Sequence, residues 1–240
     1  MNDNNPICII GARKGSKRLP QKNQLLINNV PLYQYTIRAA VDSKLFKHIV
    51  FSTDDETILN DLKDNNDILL DARPLEMSTE HVSMMEVTNY LINKYNQYFT
   101  GNKNIGIMTP CNPLRTSSHI CDAYKLFKQN DTQSLISITE YPFPIERSLE
   151  VINNSVNKSW DGRVDTSKFT KKYYPNGAIL FVSQKYFTEF QSFYSKKTIG
   201  YILKWPFSLD IDYKDDYELA KSIIEKNLIT CIERELCTKN

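Results

Sequence analysis

Five cations fall within ten residues near the amino end of the chain: Arg13, Lys14, Lys17, Arg18 and Lys22, in the run ARKGSKRLPQKN. Charges this dense repel one another unless an anion lies among them. The run follows a short apolar stretch, Ile7 to Ile10, that stops at Gly11, and an amphipathic stretch begins near Pro31. Strand, cationic loop and helix is the layout with which α/β proteins hold phosphates outside the carboxyl edge of a sheet. A nucleotide triphosphate is an anion of suitable charge. GARKGSK is not a Walker A loop, because three residues rather than four separate its glycines and Ser16 precedes Lys17 instead of following it. A basic cluster can also be a plain solvated face; its position directly after the first apolar run argues for binding.

The second group is acidic. Asp210 and Asp212 flank Ile211 in SLDID (208–212), which reads as a strand. Alternate residues of a strand point to one side, and two adjacent carboxylates repel unless a cation lies between them. Beside a triphosphate that cation would be Mg²⁺. The pair serves equally as helix N-cap acids, with Asp215 and Asp216 continuing the habit. Asp54, Asp55 and Glu56 are read as cap and first-turn acids rather than metal ligands. Arg73 opens RPLEMST and could grip base or phosphate with its planar fork, or make a surface ion pair. Arg115, near a helix start where a cation gains nothing from the dipole, points to a ligand or a buried acid. Asn176-Gly177 forms a frequent turn pair, and Tyr173, Tyr174, Phe187, Phe190, Phe193 and Tyr194 make an aromatic belt suited to a core or an interface.

The elements that must position these groups alternate as in a largely parallel sheet. Strands are expected at 6–10, 48–52, 68–70, 104–109, 134–139, 176–183, 198–203 and 208–212. Helices are expected at 31–42, from Thr53 or Asp54 onward, over 83–97, from Thr116 or Ser117 to about 129, and from 215 to 226. Residues 140–175 lack a long helical period and read as an inserted arm of β-hairpins and loops, a plausible dimer element because a lone hairpin is marginal. The expectation is a single domain over 1–240 with this arm inserted.

Composition narrows the classes. With 240 residues, 41% hydrophobic and 24% charged, the chain can bury a full core. A net charge of +2 predicts no broad nucleic-acid footprint. No apolar run is long enough to span a bilayer, and MNDNNP is not a signal peptide, so a cytoplasmic, non-membrane protein is expected. Cys8, Cys111, Cys121, Cys231 and Cys237 show no metal spacing and read as reduced thiols. His48, His81 and His119 are scattered, which argues against a histidine triad or a zinc site.

IIGARKGSKRLPQKN, STDDETI, RPLEM, PCNPLRT, YPNGAILF and LDIDYKDDYELA, in this order and spacing, resemble the cytidylyltransferases that activate sialic acid and related nonulosonic acids as CMP-sugars. The resemblance covers nearly the whole chain. It implies a Rossmann-like nucleotidyltransferase fold with a mostly parallel mixed sheet and a small β-rich dimerisation arm that reaches the partner's active site. It implies CTP and an acidic nine-carbon keto sugar as substrates. Carried over by position, Arg13 and Lys22 would hold the CTP phosphates, with Ser16 and Asn23 shaping the loop. Arg73 and Ser83 would lie on the nucleotide side. Asp210 and Asp212 would bind Mg²⁺, and Thr109, Asn176, Gly177 and Arg147 would serve the sugar. Arg13, Lys22 and Asp212 would carry the catalysis.

Departures from the family pattern fall mostly on the sugar side. Thr109 stands where sialic-acid members have Gln, Leu180 replaces the Tyr of NGAIY, Tyr174 replaces an Arg, Met84 replaces a Ser, and Glu146-Arg147 looks closer to the pseudaminic-acid branch. A sugar other than the common sialic acid is therefore expected. The rivals are a cytidylyltransferase for an eight-carbon octulosonic acid and a non-catalytic nucleotide-binding protein on the same fold.

Overall fold

The structure is a computed structural model that describes residues 5–101, 103–158, 160 and 169–229. Its centre is β1 (Ile7–Ala12), whose apolar residues alternate between two cores. Ile7 and Ile9 pack with Val50, Leu91, Ile105 and Val182 on one face. Cys8, Ile10 and Ala12 pack with Ile37, Phe51, Ile120 and Phe181 on the other. A strand buried on both faces reads as an unbroken apolar run for this reason.

After the cationic loop, Leu26–Ile27 (β2) and Val30–Pro31 (β3) form a two-residue-per-arm hairpin turned by Asn28 and Asn29, both at positive φ. Asparagine tolerates that region, and two positive φ values match the twist of a tight hairpin. Then follow α1 (Leu32–Asp42), β4 (His48–Thr53), α2 (Glu56–Leu62), β5 (Leu69–Ala72), α3 (Met84–Lys94), β6 (Asn104–Met108), α4 (Ser117–Gln129) and β7 (Ser134–Glu140). The remainder is β8 (Leu149–Ile152), β9 (Ser155–Lys158), β10 (Tyr173–Ser183), α5 (Gln184–Phe190), β11 (Ile199–Ile202) and α6 (Lys214–Glu225).

Seven strands form one sheet in the order β11-β7-β10-β6-β1-β4-β5. The pairs β1–β4, β1–β6, β4–β5 and β7–β11 are parallel, and β10 alone runs antiparallel to β6 and β7. This is the mostly parallel mixed sheet expected of the α/β class. The chain leaves β1 toward β4 on one side and later returns as β6 on the other, so the strand order reverses beside β1. Ligands of open α/β sheets bind in the crevice at such a switch point.

Four local expectations change. SLDID is not a strand: Leu209–Asp212 has no ladder, and its one backbone bond to a distant segment runs from Ile211 N–H to the Cys111 carbonyl at 2.9 Å. Asp55, not Thr53 or Asp54, caps α2, accepting from Thr57 N–H at 3.1 Å. α3 ends at Lys94, because the chain turns at Tyr95. The aromatic belt includes a short helix, α5, whose Phe187 stacks on Phe193 at 5.3 Å. Within the arm, β8 and β9 pair only with each other, while its last residues belong to β10. The expected arm also includes residues 159 and 161–168, which lie outside the described set, as do Cys231 and Cys237.

Candidate active site

A cavity of about 300 Å³ opens at the switch point, lined by the cationic loop (Arg13, Ser16, Lys17, Arg18, Lys22) and by Thr109, Pro110 and Cys111 beyond β6. Two nearly unrelated stretches of sequence meet here. Ile211 is fully buried in a small cluster with Ile27, Leu32 and Ala220. That cluster pins the segment ahead of α6 against the hairpin and helix following the cationic loop. The aspartates on either side of Ile211 therefore arrive beside Arg18, Lys22 and Cys111, which line the cavity, even though no strand aligns them.

Asp212 Oδ1 accepts from Arg18 Nη2 at 2.7 Å and from Lys22 Nζ at 3.1 Å. Arg18 also lies over the Tyr213 ring, 5.4 Å from its centre. The helix-capping role is taken by Asp216, whose Oδ2 accepts from Asp212 N–H at 3.0 Å and Tyr213 N–H at 2.8 Å. Asp210 and Asp212 are thus released from capping. Asp210 Oδ1 is buried without a hydrogen-bond partner among the described residues. Burial pushes the Asp210 carboxyl up to about 6; Asp212 and Asp216 add to the rise, and Lys22 and Arg18 oppose it. Burial pulls Lys22 down, but the Cys111 thiol and the two aspartates outweigh it and raise its pKa. The Cys111 thiol is itself pushed up to about 11, first by burial. A buried orphan carboxylate oxygen is expensive and calls for a cation.

Arg13 donates from Nε to the Gly15 carbonyl at 3.1 Å and from Nη1 to the Thr79 carbonyl at 2.9 Å, which ties the cationic loop to the loop before α3. Lys17 pairs with Glu80 across the same gap. Asn23 Nδ2 donates to the Arg13 carbonyl at 3.0 Å and holds the loop's shape. Ser83 does not line the cavity; its hydroxyl caps α3, accepting from Glu86 N–H at 3.3 Å. Arg73 is largely buried, its Nε donating to Ser52 Oγ at 2.9 Å. Its guanidinium lies against Gly11, where a Cβ would stand 3.1 Å from Nη2, so glycine permits the approach.

On the other wall, Thr109 Oγ1 donates to Asn112 Oδ1 at 2.6 Å and reaches the Gly177 carbonyl at 3.2 Å. Gly177 sits at φ 70°, a conformation that favours glycine, where the pairing of β10 with β7 shifts register. Asn176 turns inward: its Oδ1 accepts from Ser137 Oγ and Ala178 N–H, and its Nδ2 donates to Thr139 Oγ1 at 2.7 Å. Its side chain builds the bulge, which leaves Gly177 beside Thr109. Arg147 is not brought to this cavity; it lines a separate groove with Phe143, Leu149 and Trp160 on the arm.

Arg115 makes no hydrogen bond to an acid among the described residues, although Asp210 acts on it electrostatically. It is buried and binds oxygen atoms only: the Ala178 carbonyl at 2.6 Å, Thr36 Oγ1 at 2.7 Å and the Thr109 carbonyl at 3.4 Å. Burial pulls its pKa down to about 10. It ties α1, the end of β6 and β10 together behind the Thr109 wall. Sequence reasoning omitted Arg18 and Cys111 from the site. Arg18 belonged to the cationic cluster already, whereas nothing local marks Cys111.

The model of the family described as cytidylyltransferase matches residues 7–235. The chain belongs to that family. The chain is 32% identical to the N-acylneuraminate cytidylyltransferase of Escherichia coli over 226 residues, 92% of this chain and 52% of that protein. It is 28% identical to the pseudaminic acid cytidylyltransferase of Campylobacter jejuni over 92% of this chain and 97% of that one. The CMP-N,N'-diacetyllegionaminic acid synthase of Legionella pneumophila is also 28% identical, with the same coverage. The chain spans about half the length of the E. coli and Streptococcus agalactiae N-acylneuraminate cytidylyltransferases it matches. Among solved structures, a CMP:2-keto-3-deoxy-manno-octonic acid synthetase in complex with CTP superposes with a TM-score of 0.67, over 93% of this chain and 100% of that one at 12% identity, a likeness of fold. No helix among the described residues is long and apolar enough to cross a membrane.

Proposed function

We propose that this cytidylyltransferase joins CTP to an acidic nine-carbon keto sugar of the sialic-acid kind, giving a CMP-sugar and pyrophosphate. One observation carries the reading: Lys22 and Arg18, from the amino end, share an oxygen of Asp212, from the carboxyl end, beside the cavity at the switch point. A protein that only kept the fold would have no need to gather opposed charges there. The names of three sequence relatives, an N-acylneuraminate and a pseudaminic acid cytidylyltransferase and a CMP-N,N'-diacetyllegionaminic acid synthase, support the nine-carbon class over the octulosonic one.

The anomeric hydroxyl would attack the α-phosphorus of CTP while pyrophosphate leaves in line. Phosphoryl transfer asks mainly for positioning and charge stabilisation. Arg13 and Lys22 would take up charge on the departing pyrophosphate, Ser16 and Asn23 would hold the loop around it, and Arg73 would engage the nucleotide. Thr109 and Gly177 would border the sugar.

Asp210 and Asp212 would hold Mg²⁺. Two hard carboxylates, one with an unpartnered oxygen, suit an ion that keeps water and phosphate oxygens in its other positions. No third His, Cys, Asp or Glu joins them among the described residues. When bound, Mg²⁺ supplies polarisation of the α-phosphate and a lower pKa for the attacking hydroxyl. We also infer a homodimer through the arm, which would bring Arg147 to the partner's sugar site. Phe143, Leu149, Val151, Ile152 and Val156 are exposed there, and a lone hairpin is marginal without a covering surface. A CTP-using reaction goes with a cytoplasmic setting.

The test is pyrophosphate release from CTP and Mg²⁺ with a panel of sialic, legionaminic, pseudaminic and octulosonic acids. Release with one or more nine-carbon acids and none with the octulosonate is expected. Release with the octulosonate alone would shift the substrate class, and no release with any acid would leave a binding protein.

A further inference from the structure

Arg73 is held from behind by a buried chain of charge. Its Nε donates to Ser52 Oγ at 2.9 Å and its Nη2 to the Ser52 carbonyl at 2.7 Å. Ser52 Oγ stands 2.7 Å from Asp71 Oδ2. A hydroxyl has one proton, so the direction is set: Ser52 accepts from Arg73 and donates to the carboxylate. Asp71 is fully buried. Its other oxygen accepts from Lys94 Nζ at 2.7 Å, the Tyr95 hydroxyl at 3.2 Å and, more weakly, the Tyr90 hydroxyl at 3.4 Å. Burial acts to lower the Lys94 pKa, but the bonds to Asp71 and Tyr90 outweigh it and raise it.

Stability gives no reason for such a network, since apolar residues of similar volume commonly replace buried ion pairs without loss. The network does constrain Arg73, which does not itself line the cavity but lies against Gly11, which does. Nε and Nη2 are committed to Ser52, and Nη1 makes no hydrogen bond among the described residues. A long arginine side chain normally loses rotamer freedom when it binds. Here that loss is taken during folding, which is the advantage of preorganisation.

We propose that Asp71, acting through Ser52, is a positioning residue that fixes the Arg73 guanidinium for nucleotide binding. This rests on the reading that the cavity takes CTP. The experiment is calorimetric titration of the full chain with CTP and Mg²⁺, beside the sugar KM and the melting temperature, for wild type, Ser52→Ala, Asp71→Asn, Arg73→Ala and the Ser52→Ala/Arg73→Ala double variant. Ser52→Ala and Asp71→Asn should each weaken CTP binding about tenfold with the sugar KM unchanged. Ser52→Ala should add less than about twofold once Arg73 is gone, because coupled residues are not additive. Should Asp71→Asn fail to fold, Ser52→Ala carries the test, since it leaves the Asp71–Lys94 pair in place. CTP affinity unchanged in Ser52→Ala or in Arg73→Ala overturns the proposal. So does a Ser52→Ala effect of equal size in both backgrounds. A wild-type chain that binds no CTP removes the nucleotide reading itself and this inference with it.

Discussion

Residues 11–24 and 209–216 meet across a buried apolar cluster and end in shared ion pairs, whereas residues 143–158 turn their apolar side chains outward. Val151 is 67% exposed and Ile211 is 0% exposed, although both are aliphatic residues that directly follow an acidic one. The difference teaches that one region completes its surroundings inside the chain, while the arm carries contact surface in excess of anything the described residues supply.

The largest effect should come from Asp212, the junction of the completed region. Asp212→Asn removes the negative charge shared by Arg18 and Lys22 and weakens half of the proposed Mg²⁺ site. It should cost a hundredfold or more in kcat/KM, on the order of 2.7–4 kcal/mol in the transition state. Near-wild-type turnover in saturating Mg²⁺ would break the comparison at its strongest point.

Asp210→Asn should lose activity but gain stability. The carboxyl is raised from 3.8 to about 6, so its ionisation opposes folding: stability present below 3.8 is lost as pH climbs through about 6. At pH 8 the variant should therefore melt above wild type, by on the order of 1–3 kcal/mol. The gain should shrink as pH falls through about 6. Thermal melts at pH 8 and pH 4.5 check the sign.

Smaller effects should come from the arm. Arg147→Ala should raise the sugar KM about tenfold, roughly 1.4 kcal/mol, with the CTP KM unchanged; equal loss toward both substrates would put the arm outside sugar recognition. Val151→Asp should change stability by under about 0.5 kcal/mol, as exposed positions do. Its mass by light scattering should nonetheless fall from dimer to monomer. A monomeric wild type would show that the exposed apolar face has another use.

Much of the fold was legible because period and punctuation carry it. The apolar run of β1, the helical spacing of α1 and the Thr116 cap of α4 appear where their residues demand them. SLDID misled because alternation suggests a strand, yet only one of its backbone bonds reaches a distant segment, at Cys111. Asn176 is identifiable as a turn residue, but its three side-chain bonds come from Ser137, Thr139 and Ala178, distant or unmarked in sequence.

By itself, then, the amino-acid order determined the chemistry on offer: a cluster of cations too dense to stand without an anion, two acids too close to stand without a cation, and a family to which both belong. Only the tertiary structure decided that these two groups share an oxygen atom, that Asp216 and not Asp210 caps the last helix, and that Arg73 leans on Asp71. The physical reason is range. Charge density and periodicity are properties of neighbours along the chain. Partnership across 190 residues, as between Lys22 and Asp212, depends on which apolar surfaces close on one another.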